Sequence, residues 1–404
     1  MSYDPAKIAI LDAAHKHSSR HRVELLQSEV CGCFCCVTKF SPSAISCWTH
    51  DRDALSVTAL CPNCGIDAVL GSASGLPITI DFLSKMRARW FGNPDDDEDE
   101  ELVGSLMQIH TIDLRFQGVP GVIAAYLIEV GDEIALIETG PGSCHDALIA
   151  GIRALGHEPS AIKHVFVTHI HLDHSGAAGW WAQQGATVYC HPNAARHLID
   201  PSRLIESARM VYGEAMDSLW GEILPAPADC VRVLQDNETV AIGETTITAW
   251  NTPGHARHHH AYIIGDVCFT GDVAGVRLEN SGYTSVAAAP PQFDPDEYVQ
   301  SVERLHGGGF ARLYLTHFGE VRDVQSHLTS YAERIREVSA CVKASLEDNE
   351  TEDETRSRFQ EAERSVAMRS GVHDDLWSVY ERANSTAMCA DGIRLYWQKK
   401  FAGK

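Results

Sequence analysis

Residues 164–179 read HVFVTHIHLDHSGAAG, and this stretch decides the fold. His164 to Thr168 is an apolar run of the length of a buried strand, so His169 begins where the chain leaves a sheet. In an extended chain alternate residues share a side, which sends His169 and His171 the same way. Asp173 and His174 follow, just before Ser175-Gly176-Ala177-Ala178, a small-residue helix entry. Four donors thus crowd one strand end. Neutral imidazole and carboxylate together suit zinc, and also iron or manganese, whereas calcium takes oxygen ligands.

Outward from this stretch, short β-rich runs alternate with glycine turns. Val122 to Ile128 and Ile134 to Ile137 flank Gly131-Asp132 as a hairpin would. Further strands are expected over 187–190, 246–250, 260–264, 267–270 and 312–316, with helices over 146–155 and 295–305. Strands mixed with helices over some two hundred residues predict packed α/β layers. Beyond Gly319 the pattern turns helical: Tyr331, Ile335, Val338 and Val342 recur at helical spacing, and a charged segment, Glu347 to Arg364, precedes a tail with Leu376, Trp377, Tyr380, Tyr396 and Trp397. Trp180-Trp181 is expected in the core, and the irregular stretch from Ser281 to Phe293, with Pro290-Pro291, is placed as a substrate wall. His191 and His197 read as surface or capping residues.

The totals set limits. A chain of 404 residues exceeds one ordinary core and predicts two or three units. With 33 Lys+Arg against 55 Asp+Glu the net charge is -22, which repels phosphate backbones and anionic lipid, so neither nucleic acid nor membrane is an expected partner. The opening MSYDPAKIAILDAAHKHSSRHR lacks a secretion signal's basic start and apolar run, and no later segment is apolar enough to span a bilayer. The expected place is the cytoplasm, where the 13 cysteines stay reduced. Expected units are a cysteine-rich module over 1–92, an acidic linker over 93–103 holding the run Asp95 to Glu101, a central domain over 104–320 and a helical extension over 321–404, folded back on the domain before it.

The run Thr168-His169-Ile170-His171-Leu172-Asp173-His174-Ser175-Gly176 resembles the first signature of the metallo-β-lactamase fold superfamily, Thr-His-x-His-x-Asp-His and a glycine. The resemblance covers about residues 106 to 320 and implies an αββα sandwich, a metal-dependent hydrolase, and three further ligands at strand ends. Matching positions are His255 in Thr252-Pro253-Gly254-His255, Asp272 in Thr270-Gly271-Asp272, and His317 in Leu315-Thr316-His317-Phe318-Gly319. Gly265-Asp266 looks like Gly271-Asp272, but it separates two apolar runs as a hairpin turn, at the wrong end of the strand, so Asp272 is taken. Carried over by position, His169, His171 and His255 hold one metal, Asp173, His174 and His317 the second, and Asp272 bridges. Asp173 is the expected catalytic residue, orienting the hydroxide between the metals or relaying its proton. Two departures stand out. Glu138 in Ile137-Glu138-Thr139-Gly140 replaces the aspartate common among relatives, and Asp272 stands where zinc β-lactamases use cysteine, so antibiotic hydrolysis is not expected. Of Arg257, His258, His259 and His260, an alternating strand start would send half to solvent.

The front carries Cys33 and Cys36 in one C-x-x-C knuckle and Cys61 and Cys64 in another. Four thiolates suit one tetrahedral structural zinc. Cys31 and Cys35 are spare candidates, Cys47 is expected to pack, and Gly71 to Gly75 reads as a turn. Residues 10 to 92 resemble small bacterial cytoplasmic proteins that stand alone, which brings no activity; fused here, the module is expected to recognise substrate, cover the site or mediate assembly.

The function expected is a binuclear hydrolase with two divalent metals, zinc first, then iron or manganese. Its substrate is a small ester-like molecule, with thioester, lactone or other carboxylic ester ahead of phosphoester. The alternatives are a mononuclear iron thiol-persulfide oxygenase and a non-catalytic, metal-stabilised interaction protein; oligomerisation is left open.

Overall fold

The structure, a computed structural model, describes residues 10–11, 13–45, 47–49, 57–91, 107–278 and 281–403. The chain divides into two compact units, Met1–Val103 and Gly104–Lys404. The expected linker at 93–103 lies outside the described residues.

In the first unit a small antiparallel sheet places β1 (Cys31–Cys33) between β2 (Thr38–Phe40) and β3 (Val69–Gly71). Leu25, Phe34, Leu70, Leu83 and Met86 fill its core. A methyl group at Gly32 would stand 2.6 Å from Leu83 Cδ1, so the helix Ile80–Phe91 rests directly on β1.

The second unit is built on two six-stranded sheets. One runs β4 (Gln108–Asp113), β5 (Ala124–Val130), β6 (Glu133–Ile137), β7 (His164–Phe166), β8 (Thr187–Cys190) and β9 (Val231–Val233) in sequence order. The other runs β10 (Thr239–Ile242), β11 (Thr245–Asn251), β12 (His260–Ile264), β13 (Val267–Gly271), β14 (Arg312–Leu315) and β15 (Gly319–Val321). β5 and β6 form the hairpin expected at Gly131-Asp132; β6 to β9 run parallel and need helical crossovers, among them His145–Ala154 and Pro192–Ile199.

The inner faces meet through Tyr126, Ile128, Phe166, Ile247, Tyr262 and Phe269. Each such side chain taken from water contributes about 1.5–3 kcal/mol. Helices cover the outer faces: Leu148, Ile152 and Trp181 pack on the first sheet, and Leu305, Leu328, Tyr331 and Ile335 on the second. This is an αββα sandwich. Trp181 is fully buried, as expected of the core.

Four helices close the chain: Val324–Glu347, Glu352–Arg369, Asp374–Ala383 and Thr386–Ala402. Tyr331, Ile335, Val338 and Val342 are all buried. The charged segment after Glu347 is itself helical, opened by a capping box in which Thr351 Oγ1 accepts from Glu354 N while the Glu354 carboxylate accepts from Thr351 N. Gly392 lies so close to the Ala288 carbonyl that a methyl there would sit 1.8 Å from its oxygen. The last helix is thereby seated on the loop that follows β13. Among the described residues no helix is long and apolar enough to cross a membrane.

Candidate metal centre

The strand ends deliver the donors. β7 stops at Phe166, and His169 and His171 follow in the extended segment before the short helix Leu172–Ser175, which carries Asp173 and His174. Asp272 comes directly after β13, and His317 two residues after β14, while His255 lies in the loop beyond β11. The structure brings all seven together in two groups whose donor atoms lie within 4.8 Å of one another: His169, His171, His255 and Asp272, then Asp173, His174 and His317. Asp272 faces both. Its Oδ2 is 3.3 Å from His255 Nε2 and 4.0 Å from His169 Nε2, and its Oδ1 is 3.2 Å from His174 Nε2 and 3.7 Å from His317 Nε2. Asp173 Oδ2 stands 3.3 Å from His317 Nε2. Asp266 stays in the exposed turn between β12 and β13.

The hydrogen bonds behind the rings fix which nitrogen is bare. His255 Nδ1 donates to the Ala287 carbonyl at 2.9 Å and His317 Nδ1 to that of Val122 at 2.7 Å. His174 Nδ1 donates to Glu138 Oε1 at 2.9 Å. Thr168 Oγ1 gives its proton to Glu138 Oε1 and so accepts from His169 Nδ1 at 3.0 Å. In the neutral ring each Nε2 is then the lone pair, and all four Nε2 atoms aim inward. The lone pairs of His255 and His169 face each other at 3.2 Å, and His171 Nδ1 is 3.0 Å from His255 Nε2. Buried His174 Nε2 and Asp272 Oδ1 have no hydrogen-bond partner. Lone pairs opposed at such distances, beside unsatisfied buried donors of this type, fit divalent cations.

The electrostatics divide the two groups. Burial and neighbouring imidazoles hold His169 well below its ordinary value, and burial and His255 bring His171 to about 3, so both stay neutral. Burial works against charge on His174, but Asp272, Asp173 and Glu138 outweigh it and hold its pKa up, and carboxylates likewise raise His317, so without a cation a proton occupies the Nε2 position that a metal would take. Asp173 falls to about 2 against the cost of burial because His174 and His317 stand beside it.

Glu138 is the hub of this shell. It is fully buried, takes φ 65° where β6 ends, and receives Thr168 N, the Thr168 and Thr316 hydroxyls and His174 Nδ1 on one carboxylate. The extra methylene over aspartate is thus absorbed in a complete set of contacts. His259 completes the other side: Thr252 Oγ1 pairs with its Nδ1 at 2.8 Å, and its Nε2 accepts from Asp272 N at 3.2 Å. The expected exposure of half of 257–260 does not hold. β12 starts only at His260, so the preceding turn folds His258 and His259 inward and leaves Arg257 alone exposed. His191 caps the helix Pro192–Ile199 by accepting from Asn193 N. Tyr298 and Tyr331, which sequence reading passed over as helix core, bond to each other at 2.8 Å, and Tyr298 donates to the Asp272 carbonyl at 2.5 Å.

A cavity of about 1130 Å³ opens over the two groups, with His171, Asp173, His255, Asp272 and His317 on its surface. Ala287, Ala289, Pro290, Pro291 and Gln292 supply part of the wall, from the stretch placed there by sequence reading. Two further walls were missed: the helix Ser202–Tyr212, and the C-terminal residues Arg356, Arg382 and Met388.

In the first unit Cys33 Sγ lies 3.6 Å from Cys64 Sγ and Cys36 Sγ 3.7 Å from Cys61 Sγ, with all four sulfurs within 4.8 Å. A disulfide would bring sulfurs to about 2.05 Å, whereas zinc bonds of ~2.3 Å in a tetrahedron separate them by ~3.8 Å. Cys35 N and Asn63 N donate to Cys33 and Cys61 Sγ at 3.4 Å each, the second-residue amides of both knuckles. Cys31 is buried in β1 and Cys35 half-buried, both outside the four. Cys47, expected to pack, is exposed.

A family model described as the metallo-beta-lactamase superfamily matches residues 118–317, and that domain belongs to the superfamily. Among curated relatives, a metallo-beta-lactamase fold-containing protein of Sulfurisphaera tokodaii is 29% identical over 35% of this chain and 55% of its own. An atrochrysone carboxyl ACP thioesterase of Aspergillus fumigatus is 23% identical over 57% of this chain and 61% of its own. An N-acyl homoserine lactonase of Agrobacterium fabrum is 29% identical over 28% and 40%. The chain therefore spans about half the length of the curated relatives it matches. Among solved structures, a metallo-beta-lactamase family protein from Thermus thermophilus superposes with TM-score 0.54 at 19% identity, covering 73% of this chain and 94% of that one, a likeness of fold alone.

Proposed function

We propose that the second unit is a binuclear metal-dependent hydrolase acting on a small ester-like molecule, with thioester, lactone or other carboxylic ester ahead of phosphoester. The observation that carries this reading is the set of inward Nε2 atoms of His169, His255, His174 and His317, with the two oxygens of Asp272 turned one to each group. In this reading His169, His171 and His255 hold one cation, Asp173, His174 and His317 the other, and Asp272 touches both. Zinc fits the donor set, as do iron and manganese. When bound, such a pair acidifies water towards neutral pH and polarises the bond to be cleaved.

The chain's own residues do the rest. Glu138 fixes the His174 tautomer, and His259 and Tyr298 fix the loop that carries Asp272. Asp173, ionised and on the cavity surface, takes a proton at its carboxylate from water entering the cleft. Thioesterase and lactonase relatives support carboxyl chemistry at this site. In the first unit, Cys33, Cys36, Cys61 and Cys64 hold one structural zinc. Thirteen unbridged cysteines support a reducing compartment, the cytoplasm.

The test is metal analysis of the purified protein with a panel of chromogenic esters, thioesters, lactones and phosphodiesters. Turnover of a carboxyl substrate that needs the cleft metals and vanishes in His171→Ala is the expected result. Inactivity against every class overturns the reading, and one iron per cleft with oxygen uptake replaces it by a redox reaction.

A further inference from the structure

The helix Ser202–Tyr212 buries none of its eleven residues. Yet Leu204, Ala208, Val211 and Tyr212 recur along one stripe and all line the metal-bearing cavity. Val211 is 66% and its neighbour Met210 78% exposed. Leu204, Ala208 and Tyr212 are half-buried against the core and hold the helix, whereas its last turn leaves Met210 and Val211 as open apolar surface at the cavity, the part that an apolar ligand would cover. Beneath the stripe Tyr212 packs edge-on against Trp220, which stacks on Phe116 at 5.6 Å, giving the cleft an aromatic floor. Met388 of the last helix faces Tyr212, its sulfur 3.9 Å from the hydroxyl, and closes the opposite wall. Of the charges on that wall Arg382 is exposed and donates to Gln117 Oε1 at 2.6 Å, while the others are held within the wall. Arg356 is held in a fork by Asp391 at 2.8 and 2.6 Å, and Glu381 accepts from Thr386 Oγ1 at 2.7 Å.

Resting on the hydrolase reading, we propose that this cleft is an acyl subsite: the substrate is an ester or thioester of a medium-chain apolar acid. Its carboxyl carbon lies over Asp173 and Asp272, and its chain runs between the Ser202–Tyr212 helix and Met388. The cavity, at about 1130 Å³, exceeds the ~300–1,000 Å³ usual for small-molecule sites and leaves room for such a chain. The balance is that of hydrolysis: water adds its hydroxyl to the acyl carbon, the bond to the alkoxide or thiolate breaks, and the leaving group takes the proton.

Two readouts test this on the full chain. For p-nitrophenyl esters and the matching thioesters from acetyl to decanoyl, kcat/KM should rise up to roughly four-fold per methylene buried and at least ten-fold overall. Val211→Asp, at an exposed position that folding does not need, and Met388→Glu should erase that rise, bringing the ratio of octanoyl to acetyl kcat/KM to within two-fold of one. Independently, calorimetric titration of the metal-loaded protein should show octanoate binding at least ten-fold tighter than butyrate, and Val211→Asp should remove the difference. A flat or falling chain-length profile, or variants that slow acetyl and octanoyl esters equally, overturns the subsite and leaves the hydrolase standing. Octanoate bound without turnover of any ester overturns the hydrolase and leaves the subsite standing, and if octanoate binds no tighter than butyrate and nothing is turned over, both fall.

Discussion

The two donor clusters of this chain solve different problems. In the first unit four sulfurs come from two tight turns, within 4.8 Å of one another, and their neighbours are backbone amides. In the second, seven imidazole and carboxylate groups come from four strand ends, and five of them line a cavity of about 1130 Å³. Four thiolates saturate a tetrahedral ion, whereas mixed nitrogen and oxygen donors beside a cleft leave a coordination position for a reactant. What the contrast teaches is that access, rather than donor count, distinguishes the two clusters, and on the proposed reading it separates a site that holds a fold from one that does chemistry.

The sharpest way to break this contrast is to remove one donor from each side. His171→Ala should abolish ester turnover by more than the roughly 100-fold that losing an outer partner costs. Metal content should fall in the cleft alone, checked by elemental analysis and steady-state kinetics. Cys61→Ser should do the reverse. It should remove the thiolate-bound ion and, since a structural zinc contributes on the order of 10 kcal/mol to the fold around it, unfold the first unit. Limited proteolysis before residue 92 and an unchanged cleft metal count are the readouts. A variant on either side that empties both clusters would show that they are coupled.

Smaller changes sharpen the comparison. Glu138→Gln removes the anionic acceptor behind His174. It should weaken metal binding in the cleft by about 10–100-fold and leave the thiolate site untouched, as a competition titration against a chromogenic chelator would show. The last prediction concerns the scaffold of the second unit, away from the donors. His327 is buried, donates to the Ala274 carbonyl from Nε2 at 2.9 Å, and is lowered by burial to about 4. Its unfolded counterpart titrates near 6.5, so the folded state binds fewer protons between these values. Its contribution is complete above about 6.5 and drains away as the pH falls towards 4, by up to about 3 kcal/mol. In urea melts His327→Gln should flatten the acid limb of the second unit's stability.

How much of this was legible beforehand depends on where each signal resides. The run from His169 to His174 was readable because strand alternation and a small-residue helix start are local properties, and Asp272 was separable from Asp266 because a hairpin turn is local too. The buried strands of the sandwich appeared as unbroken apolar runs for the same reason. The helix Ser202–Tyr212 was not legible as a cavity wall, since its apolar residues are shared between the core edge and the cavity and none is fully buried. Nor was the part the C-terminal helices play in the cleft. Arg356 and Met388 reach the cavity through long-range packing, such as Gly392 against Ala288, that no spacing encodes. His258 and His259 misled because they precede the strand, which begins at His260 as expected, and lie in a turn to which strand alternation does not apply.

Anomalous diffraction from crystals of the metal-loaded protein addresses the central claim most directly. Two peaks should appear in the cleft, one among His169, His171 and His255 and one among Asp173, His174 and His317, with Asp272 reaching both, and a third among the four sulfurs. A cleft without bound metal, or a single ion that leaves Asp272 touching neither group, would contradict the account.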